Sequence, residues 1–508
     1  MRGLKPFFHR VLFILLTTHY LSICHSKTAH ASLTEEINEL TLPFAKWLTS
    51  VVFYKIDLLG AEIPLVVIWL VLGSIFFTFY LGWVNLRAFK HAIELIRGDY
   101  DHPDSHGEVS HFQALATAVS GTVGIGNIGG VAVAVTMGGP GATLWLIMAG
   151  VLGMSTKFVE CTLSVKYRDT FDDGHVSGGP MYYLNYGLRS LGYHNLGKVM
   201  GGIYAVGILL GALGIGNLFQ ANQAYEQLVS VWGTSVSPVW VGIALALIVL
   251  SVILGGIKSI AKVTEKVVPF MAVLYCISAL IVIGFNMAYI PAAIKAIFVG
   301  AFTGEGIAGG TLGVMVIGFQ RAVFSNEAGI GSASIAHSAV KTDEPITEGV
   351  VALLEPFIDT IVICTITALV ITTSSIADPT FAGEAKGVAM TSAAFARHIS
   401  WFPYPLAFAA VLFALSTMIS WSYYGLKGWT YLFGEGDKGQ ALYKVLFCIF
   451  IFLGPLMKLD PILEISDALV FIICIPNIFG LYLLAPTVKQ EMISYFSRLK
   501  SNELKKYK

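Results

Sequence analysis

Apolar residues in this chain come in long blocks, with polar residues gathered between the blocks. From Ile63 to Trp83 the sequence IPLVVIWLVLGSIFFTFYLGW carries no charge over 21 positions. A bilayer core needs roughly 20 apolar residues in a helix. Ten further blocks follow, at about 112–136, 141–165, 199–220, 238–255, 267–289, 311–336, 347–373, 404–425, 442–457 and 465–486. The pattern predicts an all-α polytopic membrane protein with eleven spans.

An additional apolar stretch precedes them. Arg2, Lys5 and Arg10 lead into VLFILLTTHYLSIC, and TAHAS offers a cleavage site ending at Ala31. That is the layout of a secretory signal over 1–31; an uncleaved helix is the alternative. Both put residue 32 outside the cytoplasm, so 32–62 reads as a periplasmic segment and 63–83 as an extra transmembrane helix. With that start, the loops on the inner side hold 20 Lys and Arg and those on the outer side hold 6. This is the bias expected of cytoplasmic loops. It places the tail, 487–508, in the cytoplasm of a cell bounded by a bacterial inner membrane. The remaining ten spans divide into 112–289 and 311–486. Five is an odd number, so the second set enters the membrane from the opposite side, as an inverted repeat.

Composition narrows the function. Of the residues, 55% are hydrophobic and 13% charged, with mean hydropathy +0.72. Soluble proteins carry about 25% charged residues, so a soluble enzyme is excluded. Net charge is zero. No basic domain or tail suits nucleic acid, and the partner implied is the lipid bilayer. Six cysteines are scattered singly, and nothing points to zinc or haem. A single chain suffices for this architecture.

Val123 to Gly130, VGIGNIGG, spells the dinucleotide fingerprint G-x-G-x-x-G. That motif works after a strand, opening a helix, with an acidic residue about 20 positions on. Here it follows HFQALATAVS inside a span and precedes WLIMAGVLG, so no nucleotide is expected. Each glycine costs about 1 kcal/mol against alanine in a helix, and five stand between Gly121 and Gly130. The helix should break there. A break frees N–H groups on one half, which suit a carboxylate, and carbonyls on the other, which suit a cation. Ser120, Thr122 and Asn127 would be costly facing lipid, which favours the break. In the 199–220 span, Gly207, Gly211, Gly214 and Gly216 suit close helix packing instead.

A second polar island holds Gln320, Arg321, Ser325, Asn326, Glu327, Ser332 and Ser334. Its GIGS (Gly329 to Ser332) echoes the GIGN of the first break. Ionisable residues at membrane depth are functional or paired. Arg321 and Glu327, six apart, do not share a helix face, which implies a neighbouring partner or a broken helix. With Glu355 they are expected to form a structural or gating ion network. Lys157 and Glu160 (i, i+3) are expected to pair. Glu355, with Asp359 four residues on, is either an ion-pair partner or a proton carrier. The adjacent hydroxyls of Ser416 and Thr417 suggest a cation or substrate site.

Together GTVGIGNIGGVA, GGPGATLW, STKFVECTLSVKYR, GGPMYYL, GIGNLFQANQ and FSNEAGIGSASIAHS resemble the alanine-or-glycine:cation symporter family, over roughly residues 105–425. After GGPGA that family shows an aromatic-rich run; here TLWLIM has Thr143 and a single Trp145. The resemblance implies a LeuT-type fold of two inverted five-helix repeats, and sodium-coupled import of alanine or glycine. It implies that the Ile125 and Gly126 amides face the substrate carboxylate, beside Asn127, with Thr122 lining the same pocket. The Ser120 and Val123 carbonyls, with the Ser416 and Thr417 hydroxyls, would hold sodium. Gly318 and Phe319 would lie at the second break, and Phe219, Gln220 and Trp421 would wall the pocket. The rival within the same fold is proton coupling, with Glu327 or Glu355 as carrier.

Overall fold

A computed structural model describes residue 43 and residues 46–507, apart from 59–60, 103, 173, 234, 304–309, 382–386 and 398. The signal-like segment 1–31 lies outside the described residues. A hairpin of β1 (Lys55–Leu58) and β2 (Ala61–Pro64) leads into α1 (Leu65–Tyr80), the extra apolar helix. The first set follows: α2 (His111–Thr122), α3 (Val131–Gly138), α4 (Ala142–Lys166), α5 (His194–Leu213), α6 (Phe219–Trp232), α7 (Pro238–Ile253) and α8 (Gly256–Phe285). After α9 (Ile290–Thr303) comes the second set: α10 (Gly310–Asn326), α11 (Ser332–His337), α12 (Pro345–Val351), α13 (Thr365–Ala377), α14 (Val388–Ala396), α15 (Pro403–Phe433), α16 (Asp437–Leu453) and α17 (Leu459–Lys500).

Seven described helices are long and apolar enough to cross a membrane alone, and α2 with Gly126–Gly138 makes an eighth, bent by 52°. The helices α1 and α7, and the pair α10 and α11, fall on the three remaining expected spans. The loop expected over 290–310 instead carries α9. Its buried Ala293, Ile297 and Ala301 recur every four residues, while Ile294, Phe298 and Phe302 are exposed. That period makes one helical face. Ala301 lies so close to Gly141 that a Cβ on the glycine would come within 2.3 Å of the Ala301 nitrogen.

The start of α2 is fixed locally. Ser110 caps it, accepting from the Gln113 N–H at 3.3 Å, while Gln113 returns the bond to the Ser110 N–H at 3.1 Å. This is a capping box, which satisfies two orphan donors. The helix ends at Val123, which is extended (φ −76, ψ 91). From there α2 lies against α8, α11 and α15 at the centre of the bundle. The glycines of α5 pack as expected: a Cβ on Gly207 would meet Ile473 at 2.0 Å.

Among the described residues four helical stretches widen into π turns, at Gly126–Gly130, Tyr183–Gly187, Gly214–Leu218 and Phe357–Cys364. Such turns interrupt the regular ladder and often mark functional sites. The turns at Gly126–Gly130, Gly214–Leu218 and Phe357–Cys364 flank the break after α2, where the candidate site lies.

Candidate functional site

One face of α15 is stitched to α2 by side chains at helical spacing. Ser420 donates to the Thr117 carbonyl at 2.8 Å, Thr417 to that of Ser120 at 3.0 Å, and the Trp421 indole to that of Gly121 at 3.2 Å. Ser120 answers by donating to the Ser416 carbonyl at 2.7 Å. Positions 416, 417, 420 and 421 share one helical face, so the α2 carbonyls freed near the break meet hydroxyls rather than lipid. The Ser416 hydroxyl itself bonds back to the Phe413 carbonyl at 3.0 Å. Thr122 bonds back in the same way, to Ala118 and Val119.

At the break the Gly124 N–H donates to the Asn127 side-chain oxygen at 2.9 Å. The Ile125 and Gly126 amides open the next half-helix. Around them stand Thr417, Gln220, Trp421 and Phe324. A Cβ on Gly124 would lie 2.8 Å from the Thr417 hydroxyl and 3.4 Å from the Gln220 carbonyl oxygen; one on Gly126 would touch Phe324 at 3.5 Å. Gln220 donates to the Ile215 carbonyl at 3.2 Å, while its own oxygen is buried with no hydrogen-bond partner. Phe219 meets Phe324 edge to face at 5.8 Å. Trp421 is fully buried and seated on Gly216, whose missing Cβ would fall 2.3 Å from it.

Asn127 reaches a cluster that sequence reasoning missed. Its amide nitrogen donates to Ser325 Oγ at 2.9 Å and to the Asp359 carboxylate. Ser325 and Thr360 donate to the other oxygen of that carboxylate at 2.8 and 2.6 Å. Asp359, Thr360 and Ser325 are buried; the first two are adjacent in Phe357–Cys364, and Ser325 comes from α10. A carboxylate ringed by hydroxyl and amide groups is a set of oxygen donors suited to a small hard cation. The signal available in sequence was Asp359 itself, an acidic residue in a span with no base nearby.

The second break differs from expectation. Gly318 and Phe319 lie inside the continuous helix α10, and the chain breaks at Glu327–Gly331. There Glu327, Gly329 and Gly331 all have positive φ (57°, 93° and 84°). Gly318 is a packing residue against α4: a Cβ would meet Ala142 O at 2.7 Å. Phe319 sits beside Trp145 at 6.4 Å and lines an apolar surface groove with Val67, Val71 and Met315. The physical reason is that a single glycine flanked by Ile317 and Phe319 is tolerated in a helix, whereas Gly329 and Gly331, two positions apart, supply the left-handed backbone a break needs. Phe324 and Ser325, one turn before that break, take the place near the site.

The expected ion network also divides. Arg321 lies 3.7 Å from Asp467 and over the Phe324 ring. Glu327 accepts from the Ser332 hydroxyl. Glu355 binds Lys157 at 3.0 Å and His337 at 2.6 Å. The i, i+3 bond between Lys157 and Glu160 does not form. Glu160 instead accepts from the Gly329 N–H at 3.0 Å and from Asn477 at 2.8 Å. Both residues point away from their own helix because better-placed partners face them from neighbours. Among the described residues, Cys161, His337 and Glu355 bring potential metal ligands within 4.8 Å of one another. The Lys157 ammonium on Glu355 and the carboxylates on both His337 nitrogens already occupy that grouping.

Two broken helices facing one another across a bundle, with a hydroxyl-lined seam at one break, define a secondary transporter of the LeuT type. The fold is shared with the crystal structure of MhsT in complex with L-phenylalanine, at a TM-score of 0.54 and 16% identity, covering 75% of this chain and 89% of that one. The chain belongs to the sodium:alanine symporter family, whose family model matches residues 46–508. It is 40% identical over 438 residues to the sodium/alanine symporter AgcS of Methanococcus maripaludis, covering 86% of this chain and 95% of that protein. It is 32% identical over 414 residues to the amino-acid carrier protein AlsT of Bacillus subtilis, covering 81% and 85%. The protein is therefore a multi-pass membrane transporter, an amino-acid:cation symporter rather than an enzyme.

Proposed function

We propose that this protein imports a small neutral amino acid, alanine or glycine, driven by sodium. The observation that carries the reading is the crowding at the first break. Gly124 and Gly126 face Thr417, Gln220 and Phe324, with Phe219 and Trp421 behind them. The Ile125 and Gly126 amides suit a carboxylate, as half-helix N-termini do in this class of fold. The aromatic walls favour a methyl or a hydrogen over a long side chain. Sodium would be held by the Ser120 and Val123 carbonyls with the Thr417 and Ser416 hydroxyls. The Asp359, Ser325 and Thr360 oxygens make a second place for a cation, next to Asn127. The sidedness that supports import is the excess of Lys and Arg on the side of the C-terminal tail, read as cytoplasmic.

In this reading sodium stabilises the state open to the outside, substrate closes the outer side, and both leave inward together. The experiment is uptake of labelled alanine and glycine into proteoliposomes with and without a sodium gradient, followed by counterflow with larger amino acids. Accumulation that ignores sodium would remove the coupling claim. Equal counterflow with leucine or glutamine would remove the size claim.

A further inference from the structure

At the end of the bundle that carries the C-terminal tail, a ladder of titratable side chains runs from water into the core. Asp101, half-exposed, lies 3.5 Å from His111 Nε2. His111 Nδ1 meets one oxygen of Glu348, and His337 Nδ1 meets the other. His337 Nε2 lies 2.6 Å from Glu355, whose second oxygen accepts from Lys157 at 3.0 Å. From Glu348 inward every member is fully buried. The ladder joins four elements: His111 is the first residue of α2, His337 the last of α11, Glu348 lies on α12 and Lys157 on α4.

The proton count follows from chemistry. A neutral imidazole has one N–H and one acceptor nitrogen. Both nitrogens of His337 face carboxylate oxygens. If both carboxylates are ionised, the ring must be doubly protonated; if the ring is neutral, one carboxyl must hold the proton. Either way Glu348, His337 and Glu355 share one proton that reaches water through His111 and Asp101. Without it, an imidazole lone pair would face a buried carboxylate, and the ladder would loosen. The other titratable groups around it are Glu160 and Cys161 on α4, Tyr183 beside α11, Tyr424 on α15, Asp359 within electrostatic reach of Lys157, and His91 within reach of His111. Arg168 lies within electrostatic reach of Glu348, and Glu327 of Lys157.

We propose that this ladder is a proton-binding site that latches the inner end of the broken helix α2. With its proton, it ties His111 to α11 and α12 and holds the inner side closed. When the proton leaves through His111, α2 is released at its first turn. This half-helix ends at the break that bears the candidate site, so the latch couples the proton to inward opening. The inference rests on the transporter fold and on no particular transported solute.

The test is hydrogen exchange of residues 111–122 in the full-length protein in lipid nanodiscs, without amino acid, corrected for the intrinsic pH dependence of exchange. Between about pH 6 and about pH 9, a window spanning the ordinary histidine value, protection of this segment in the wild type should fall by about tenfold or more. His337→Gln donates to one carboxylate and cannot titrate, so its protection should be low and flat with pH. If His337→Gln does not fold, His111→Gln, at the water-accessible end, should give the same flat profile. Unchanged wild-type protection across the window overturns the latch, as does a variant that keeps the wild-type profile. Because the measurement uses no transported solute, an absence of alanine uptake would sink the proposed substrate and leave this result to stand or fall alone.

Discussion

The two breaks in this molecule solve the same problem in opposite ways. At the second, side chains of the protein occupy the freed backbone. Glu160 takes the Gly329 N–H, Asn477 donates to the Gly329 carbonyl at 2.9 Å, and Tyr204 donates to that of Ile330 at 2.8 Å. At the first, hydroxyls and the Trp421 indole cover the carbonyl side, while Gln220 and Phe324 stand beside Gly124 and Gly126. An interrupted helix in a membrane must satisfy its backbone internally or line a cavity. The second break does the former and is structural. The first is the break to which the proposed function assigns the ligand.

That contrast can be broken by substitution. The largest effect is expected at the structural break. Gly331→Ala puts a Cβ on a residue at φ +84°, 2.5 Å from Pro180, and should cost about 2 kcal/mol or more from backbone strain and crowding. Folded yield and thermal stability in detergent should collapse before uptake can be measured. Gly124→Ala should do the reverse. Its backbone is not left-handed, and its Cβ would meet side-chain ends alone, the Thr417 hydroxyl at 2.8 Å and the Gln220 oxygen at 3.4 Å. The protein should fold with near-normal stability while uptake falls about tenfold or more, because a methyl group fills the ligand space. If both variants lose stability alike, the distinction between the breaks fails.

A smaller effect separates expectation from structure along α10. Phe324→Ala removes a wall at Gly126 and should raise KM for alanine about tenfold, with larger amino acids gaining in counterflow. Phe319→Ala, in the apolar surface groove, should leave KM within about twofold. A reversed order would restore 318–319 to the site.

The helical membrane class and the first break were legible because each is a local pattern: apolar runs of membrane length, and five glycines among polar residues. The second break was legible only in part. GIGS was visible as an echo of GIGN, yet the family resemblance carried the break to Gly318, where a lone glycine costs too little to stop a helix. Least legible were the partners. Asp359 with Asn127, His337 with Glu348 and Glu355, and Arg321 with Asp467 are contacts between helices distant in sequence. Spacing along one helix could not supply them, and in the case of Lys157 and Glu160 it suggested a pair that other helices had already claimed.

The smallest expected effect lies outside the spans. His91 is buried beside Tyr495 (2.8 Å) and Glu94 (3.1 Å). Burial holds its pKa below the ordinary 6.5, against the pull of Glu94. The folded state therefore keeps the ring neutral while the unfolded chain takes a proton below pH 6.5, so this contribution is present above that pH and lost as pH falls. Thermal stability should drop by about a degree or two on acidification in the wild type, and less in His91→Gln.

The final helix runs 42 residues without interruption, about 63 Å at helical rise and roughly twice the hydrocarbon thickness of a bilayer. Its last turns are fastened to a loop by Arg498, which forks onto Glu344 at 2.7 Å, and the segment after it is held by the Tyr507 N–H, which donates to the Asp99 carbonyl at 2.8 Å. A rod of this kind transmits tilt. A thinner bilayer leans a spanning helix further over, and here the leaning end pulls on Glu344, immediately before α12. Acyl-chain length thus becomes a mechanical input, and reconstitution in short-chain and long-chain lipids should give different uptake rates at equal sodium gradients.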